Sequence, residues 1–170
     1  MPQYAAQGVG FIGMLLVFLA FQKNDKGKIL RFQACAGAAF AIHFLLLGGY
    51  TGACMNLIEI GRNLVFVSYV GQKRKRMWVF LFAATFAGIG ALSWESAYSL
   101  LPIFAMVLST FALSLDDPRR IRYLCIPVSL GWIVYNVHTL SIAGALTEAF
   151  ALTSLVIAMV RFDFPLARKL

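Results

Sequence analysis

Charge is scarce in this sequence. Charged residues make up 13% of its 170 positions, against roughly 25% in an ordinary soluble domain, whose surface must be wetted. Too few ionic groups remain to cover a water-facing exterior, so most of the surface must meet something apolar. Acidic residues are rarer still, seven against 15 Lys and Arg. The three cysteines, Cys35, Cys54 and Cys125, lie in apolar runs without Cys-x-x-Cys or Cys/His spacing. That excludes a zinc-ligand pattern and a disulfide framework and leaves small buried thiols. No glycine-rich phosphate loop follows a strand pattern, and no Ser/His/Asp set stands out. Neither catalysis nor a cofactor is expected. The opening stretch MPQYAAQGVGF has no basic residue, so it reads as part of a retained helix rather than a cleaved signal.

What fills the sequence is apolar: 61% hydrophobic residues and a mean hydropathy of +0.79. Seven runs stand between polar or turn residues, at about Gln7–Phe21, Ile29–Leu47, Cys54–Val70, Met77–Leu92, Tyr98–Leu115, Tyr123–Leu140 and Ala145–Val160. They are too long and too continuously apolar for barrel strands of about 10 alternating residues. Helices also satisfy every backbone hydrogen bond inside lipid. The fold class expected is therefore all-α, a seven-transmembrane-helix membrane protein filling residues 1–170 as one domain.

The net charge of +8 would suit nucleic acid in a soluble chain, but its placement points to membrane topology. Lys23, Lys26, Lys28 and Arg31 form one cluster and Lys73–Arg76 a second. Arg119, Arg120 and Arg122 form a third, and Arg161, Arg168 and Lys169 a fourth. Only Arg62 stands apart. These clusters fall in alternate connections, whereas GGYTG, SWESAYS and SIAG carry no Lys or Arg. The positive-inside tendency then puts the basic connections in the cytosol, the carboxyl terminus with them and the amino terminus outside. Tyr50, Trp78, Trp94 and Tyr98, at run ends, read as interface anchors.

A shift of 92 residues lays the first three runs on the last three. Leu16, Ala20, Asp25, Gly52 and Ala53 recur identically, Phe40 falls on Trp132, and Asn56 on Glu148. The outer turn Thr51–Ala53 falls on Ala143–Ala145. A three-helix unit repeated in one orientation needs an extra crossing, which the fourth run supplies. The expectation is a parallel 3+1+3 plan: repeat one at about 7–70, a linker helix at 77–92 and repeat two at 98–162. Parallel repeats of this kind occur in transporters, SWEETs among them.

The segments HFLLLGGYTGACMNLIEIGRN and GWIVYNVHTLSIAG, set in this layout, resemble the YgjV-type bacterial inner-membrane proteins over nearly the whole chain. Through them the architecture resembles the SWEET/PQ-loop group. That resemblance implies Asn on the third and seventh spans and Trp on the second and sixth. Asn56 and Trp132 match, while Glu148 and Phe40 replace the other two. Helix-bending prolines are present only in the second half, as Pro102 and Pro127, and the Pro-Gln signature is absent from the spans.

Polar groups inside spans are costly and usually face the protein interior. The third run carries Asn56, Glu59 and Asn63 at helical spacing on one face, with Arg62 beside them and able to pair with Glu59. His43 and Asn136 fall at similar depth near the outer ends of spans two and six, and Trp132 lies one turn below Asn136. His43, Asn56, Glu59, Asn136 and Glu148 are expected to converge on one layer in the outer half of the membrane, with Trp132 as an apolar floor. The layer reads as a solute site or a proton-sensitive gate, since imidazole and carboxylate both carry protons. The alternative is interhelical glue. The function expected is a small-solute carrier working by alternating access, the alternative being a receptor, chaperone or partner-binding subunit. The partners expected are the lipid bilayer and a small polar solute, with no nucleic acid. Association with a second copy of the chain is left open.

Overall fold

The computed structural model describes residues 2–23, 25–68, 75–115 and 117–163. Every regular element among them is helical. In chain order these are α1 (Pro2–Phe21), α2 (Lys26–Leu47), α3 (Tyr50–Ser68), α4 (Lys75–Leu92), a 3-10 turn (Ala97–Ser99) running into α5 (Leu100–Ala112), α6 (Pro118–His138) and α7 (Ile142–Phe162). Lys73, Arg74, Arg168 and Lys169, assigned from sequence to cytosolic connections, lie outside the described residues.

Local chemistry sets the helix ends. Asp25 caps α2 by accepting from the Lys28 amide, and Asp117 caps α6 by accepting from the Arg119 amide. Ser141 caps α7 through the Gly144 amide. Each side chain satisfies a donor that the first helical turn leaves without a partner. The α2–α3 turn closes on Gly48, whose φ of 79° suits glycine. The α6–α7 turn places Leu140 in the same left-handed region at φ 55°, 92 residues on. The helix starts of α2 and α6, and of α3 and α7, are separated by that same interval.

Several expected boundaries change. α1 begins at Pro2 rather than Gln7, and α3 at Tyr50 rather than Cys54. Thr51–Ala53 is therefore not a turn but the first turn of α3, and Ala143–Ala145 plays that part in α7. Helix α3 can start so early because its first amides are capped from elsewhere. Glu95, between α4 and α5, accepts from Tyr50 N (2.7 Å) and Thr51 N (3.1 Å), and the Tyr135 hydroxyl accepts from Gly52 N (2.9 Å). Cys35 is exposed rather than buried.

Helix packing forms a ring. α1 lies against α2, α2 against α3, α3 against α5, α5 against α6, α6 against α7, and α7 closes on α1. α4 packs outside it, on α5 and α3. Phe40, Phe44, Met55, Phe86, Met106, Trp132 and Tyr135 form the central core. Outward, the helices present large bare aliphatic and aromatic side chains, among them Ile12, Leu57, Phe104 and Ile157, as a lipid-facing surface should. Gln3–Ala20, Gly27–Leu47 and Ile142–Phe162 are long and apolar enough to cross a membrane. Arg76–Leu92 and Ala97–Ala112 are apolar but shorter. α3 and α6 carry polar residues, Asn56 to Asn63 in one and Arg119 to Arg122 in the other.

Candidate functional site

The ring encloses a cavity of about 240 Å³ to which all six of its helices contribute. α1 supplies Val17, and α2 supplies Gln33, Gly37, Phe40 and Phe44. α3 supplies Asn56, Glu59 and Arg62, and α5 supplies Met106 and Ser109. α6 supplies Val128, Trp132 and Asn136, and α7 supplies Gly144, Thr147 and Glu148. α4 contributes nothing to this lining. Small residues let the helices approach: a Cβ on Gly37 would stand 3.3 Å from the Asn56 carbonyl, and one on Gly144 only 2.1 Å from Asn136 Oδ1.

Six of the eight residues singled out by sequence line the cavity: Asn56, Glu59, Arg62, Trp132, Asn136 and Glu148. Asn63 is fully buried beside it and serves Arg62 and Glu59 instead. His43 faces away from the cavity. It is 0% exposed and its ring nitrogens meet the Ala6 carbonyl and Ser141 Oγ, both at 2.7 Å. Along the cavity, Asn136 sits near the α6–α7 turn, Glu59 at the middle of α3, and Arg62 about one turn nearer the Ser68 end of that helix.

Arg62, 3% exposed, anchors the lower wall. Its Nη2 lies 3.0 Å from Glu59 Oε1, and its Nη1 donates to Ser109 Oγ (2.9 Å) and Thr110 Oγ1 (3.1 Å) on α5. The ring of Phe86, from α4, lies 5.5 Å from its guanidinium carbon. A guanidinium can be buried here because a carboxylate and several acceptors surround it. Asn56 turns its amide back onto the Gly52 carbonyl at 2.8 Å. Asn136 is 2% exposed, and its Oδ1 has no partner.

The end that carries the α2–α3 and α6–α7 turns is crossed by hydrogen bonds between helices from opposite ends of the sequence. Besides the His43–Ser141 contact, Gln7 Nε2 donates to the Leu140 carbonyl at 2.7 Å, and Gln7 Oε1 accepts from Ile142 N at 3.1 Å. Tyr135 bridges to Gly52, and Thr51 Oγ1 meets Ser99 Oγ at 2.9 Å. Beneath them Phe44 stacks among His43, Trp132 and Tyr135. Sequence reasoning missed Gln7, Ser141, Tyr135 and Glu95. Only Ser141, a serine just before a helix, carried a local signal.

At the basic end, Arg122 on α6 meets Asp163, just beyond α7, through both carboxylate oxygens. The Arg122 hydrogen bonds hold the Asp163 carboxyl below the ordinary carboxylate range, and the same contact raises Arg122.

Residues 4–164 match the family model described as a bacterial inner membrane protein, Imp-YgjV. The chain belongs to this YgjV family. It is 26% identical over 160 residues to the inner membrane protein YgjV of Escherichia coli strain K12, covering 94% of this chain and 85% of that one. No solved structure matches. Family membership and the apolar helices together make this an inner-membrane protein that sits in the lipid bilayer.

Proposed function

We propose that this YgjV-family chain is a small-solute carrier that works by alternating access. The observation that carries the reading is a cavity walled by all six ring helices and crossed at one end by hydrogen bonds joining the two halves. A chaperone or partner-binding subunit on the same scaffold has no need of such a cavity, and uptake of solute separates a carrier from a receptor. In this reading all seven helices cross the membrane, the amino terminus outside and the carboxyl terminus in the cytosol. The closed end, with its tight turns free of Lys and Arg, faces outward. α1–α3 and α5–α7 act as two parallel three-helix units with α4 as linker. The 92-residue spacing of the helix starts, of the aspartate caps and of the left-handed turn residues supports that plan. The layout is like the SWEET group's, with Glu148 and Phe40 in place of its second Asn and first Trp. The protein binds and releases its solute chemically unchanged.

The test is reconstitution into liposomes and a screen for solute uptake. Asn56→Ala, Glu59→Gln and Asn136→Ala each line the cavity and are expected to lower uptake about tenfold or more, the loss of one buried hydrogen bond to solute. Variants that transport at the normal rate would sink the site.

A further inference from the structure

Inside the cavity the charges do not cancel. Arg62 has no donor left for a guest: Nη1 is held by Ser109 and Thr110, Nη2 by Glu59 and Asn63, and Nε by Asn63. Its positive charge is matched by Glu59 at 3.0 Å. Glu148, on α7, has no Lys or Arg partner among the described residues. Its polar neighbours are the Ser129 hydroxyl and, repelling it, the Glu59 carboxylate. Asn136 Oδ1, which also lines the cavity, is an acceptor without a donor. The remaining wall includes the rings of Phe40, Phe44 and Trp132.

We infer that the cavity takes a small organic cation, an ammonium-bearing solute. Its head meets Glu148 and the Asn136 oxygen, and its apolar part lies against the three aromatic rings. An ammonium has three donors and no acceptor, which suits a carboxylate without a counter-charge beside an acceptor without a donor, and aromatic faces attract cations. An anion would meet an unpaired carboxylate and a guanidinium already saturated. A bare calcium ion would need six or more oxygen ligands, and the described residues bring together no group of three or more Asp, Glu, His or Cys that could hold a metal. The inference rests on the carrier reading and names its solute class.

The full-length protein in detergent is titrated with n-butylammonium, 1-butanol and butyrate, which are alike in size and differ in charge. Thermal midpoint and tryptophan fluorescence are followed together, Trp132 lining the cavity. Only n-butylammonium is expected to give a saturable rise in midpoint and a fluorescence change. Glu148→Gln, which keeps shape and loses charge, is expected to weaken that binding about tenfold or more. An equal response to butanol or butyrate overturns the inference, as does no saturable response to n-butylammonium. So does undiminished affinity in Glu148→Gln. The selectivity series on the native chain decides the matter even if the variant fails to fold. Proteoliposomes separate this inference from the carrier reading. Saturable n-butylammonium binding without uptake of any solute removes the carrier and leaves the cation site. Uptake of a neutral or anionic solute, with n-butylammonium inert, does the opposite.

Discussion

Arg62 is a buried cation whose whole hydrogen-bonding capacity is spent within the protein, much of it on residues three positions before it and one after. A cation so placed contributes little net stability, yet removing it alone leaves Glu59 without its counter-charge. Arg62→Met is therefore expected to cost about 3–5 kcal/mol. Adding Glu59→Leu should return most of that loss, because the desolvated charge goes too. Thermal melts of the two variants in detergent check this, and additive losses would contradict it. Sequence spacing already paired Glu59 with Arg62, since residues three apart share a helix face. What spacing could not give were Ser109 and Thr110, whose reach to Arg62 depends on how α5 lies against α3. His43 shows the same limit from the other side. Its position in an apolar run suggested a cavity residue, but a neutral imidazole with two good partners packs as well in a seal. Only the fold brings Ser141 to it, 98 residues away.

At the scale of single helices, length and polarity located all seven elements, and their ends moved by a few residues. The early start of α3 has its own cause. A helix can start wherever its first amides find acceptors, and those of α3 are supplied by Glu95 and Tyr135 from distant segments. Apolar pattern alone cannot reveal such caps. Where the cap is local, as with Asp25, Asp117 and Ser141, the sequence carries it. The ends of α6 and α7 are joined by Arg122 and Asp163, and this pair sets a pH dependence. The carboxyl is held below its unfolded value, about 3.9, so the ionised form favours the folded state. Its contribution is present above about pH 4 and fades as pH falls through the lower folded value. Asp163→Asn should melt below the native protein at pH 7. The difference should narrow steadily in melts taken below about pH 4. A gap that does not change with pH would show that the pair adds nothing ionic.

For the whole molecule, alternation of basic and non-basic connections is the ground of the proposed membrane topology, and six helices ring the cavity. Three apolar helices are long enough to span by composition. α3 and α6, at 19 and 21 residues, match them in length but carry more polar and charged residues, Asn56, Glu59, Arg62 and Asn63 in one and Arg119, Arg120 and Arg122 in the other. If all seven cross, a cytosolic reporter fused after Leu170 should be active, and one fused in the Gly48–Tyr50 turn should be active only as a periplasmic reporter. A periplasmic signal from the connection holding Lys73–Arg76 would break the scheme.

α4 stands apart from all this. It borders the ring through Phe86 against Arg62, and none of its described residues lines the cavity. In the proposed 3+1+3 plan its task is one of transit, returning the chain to the starting face so that the second trio inserts in the same sense as the first. On that plan a chain divided on either side of α4, with each trio delivered separately, should assemble the same enclosure.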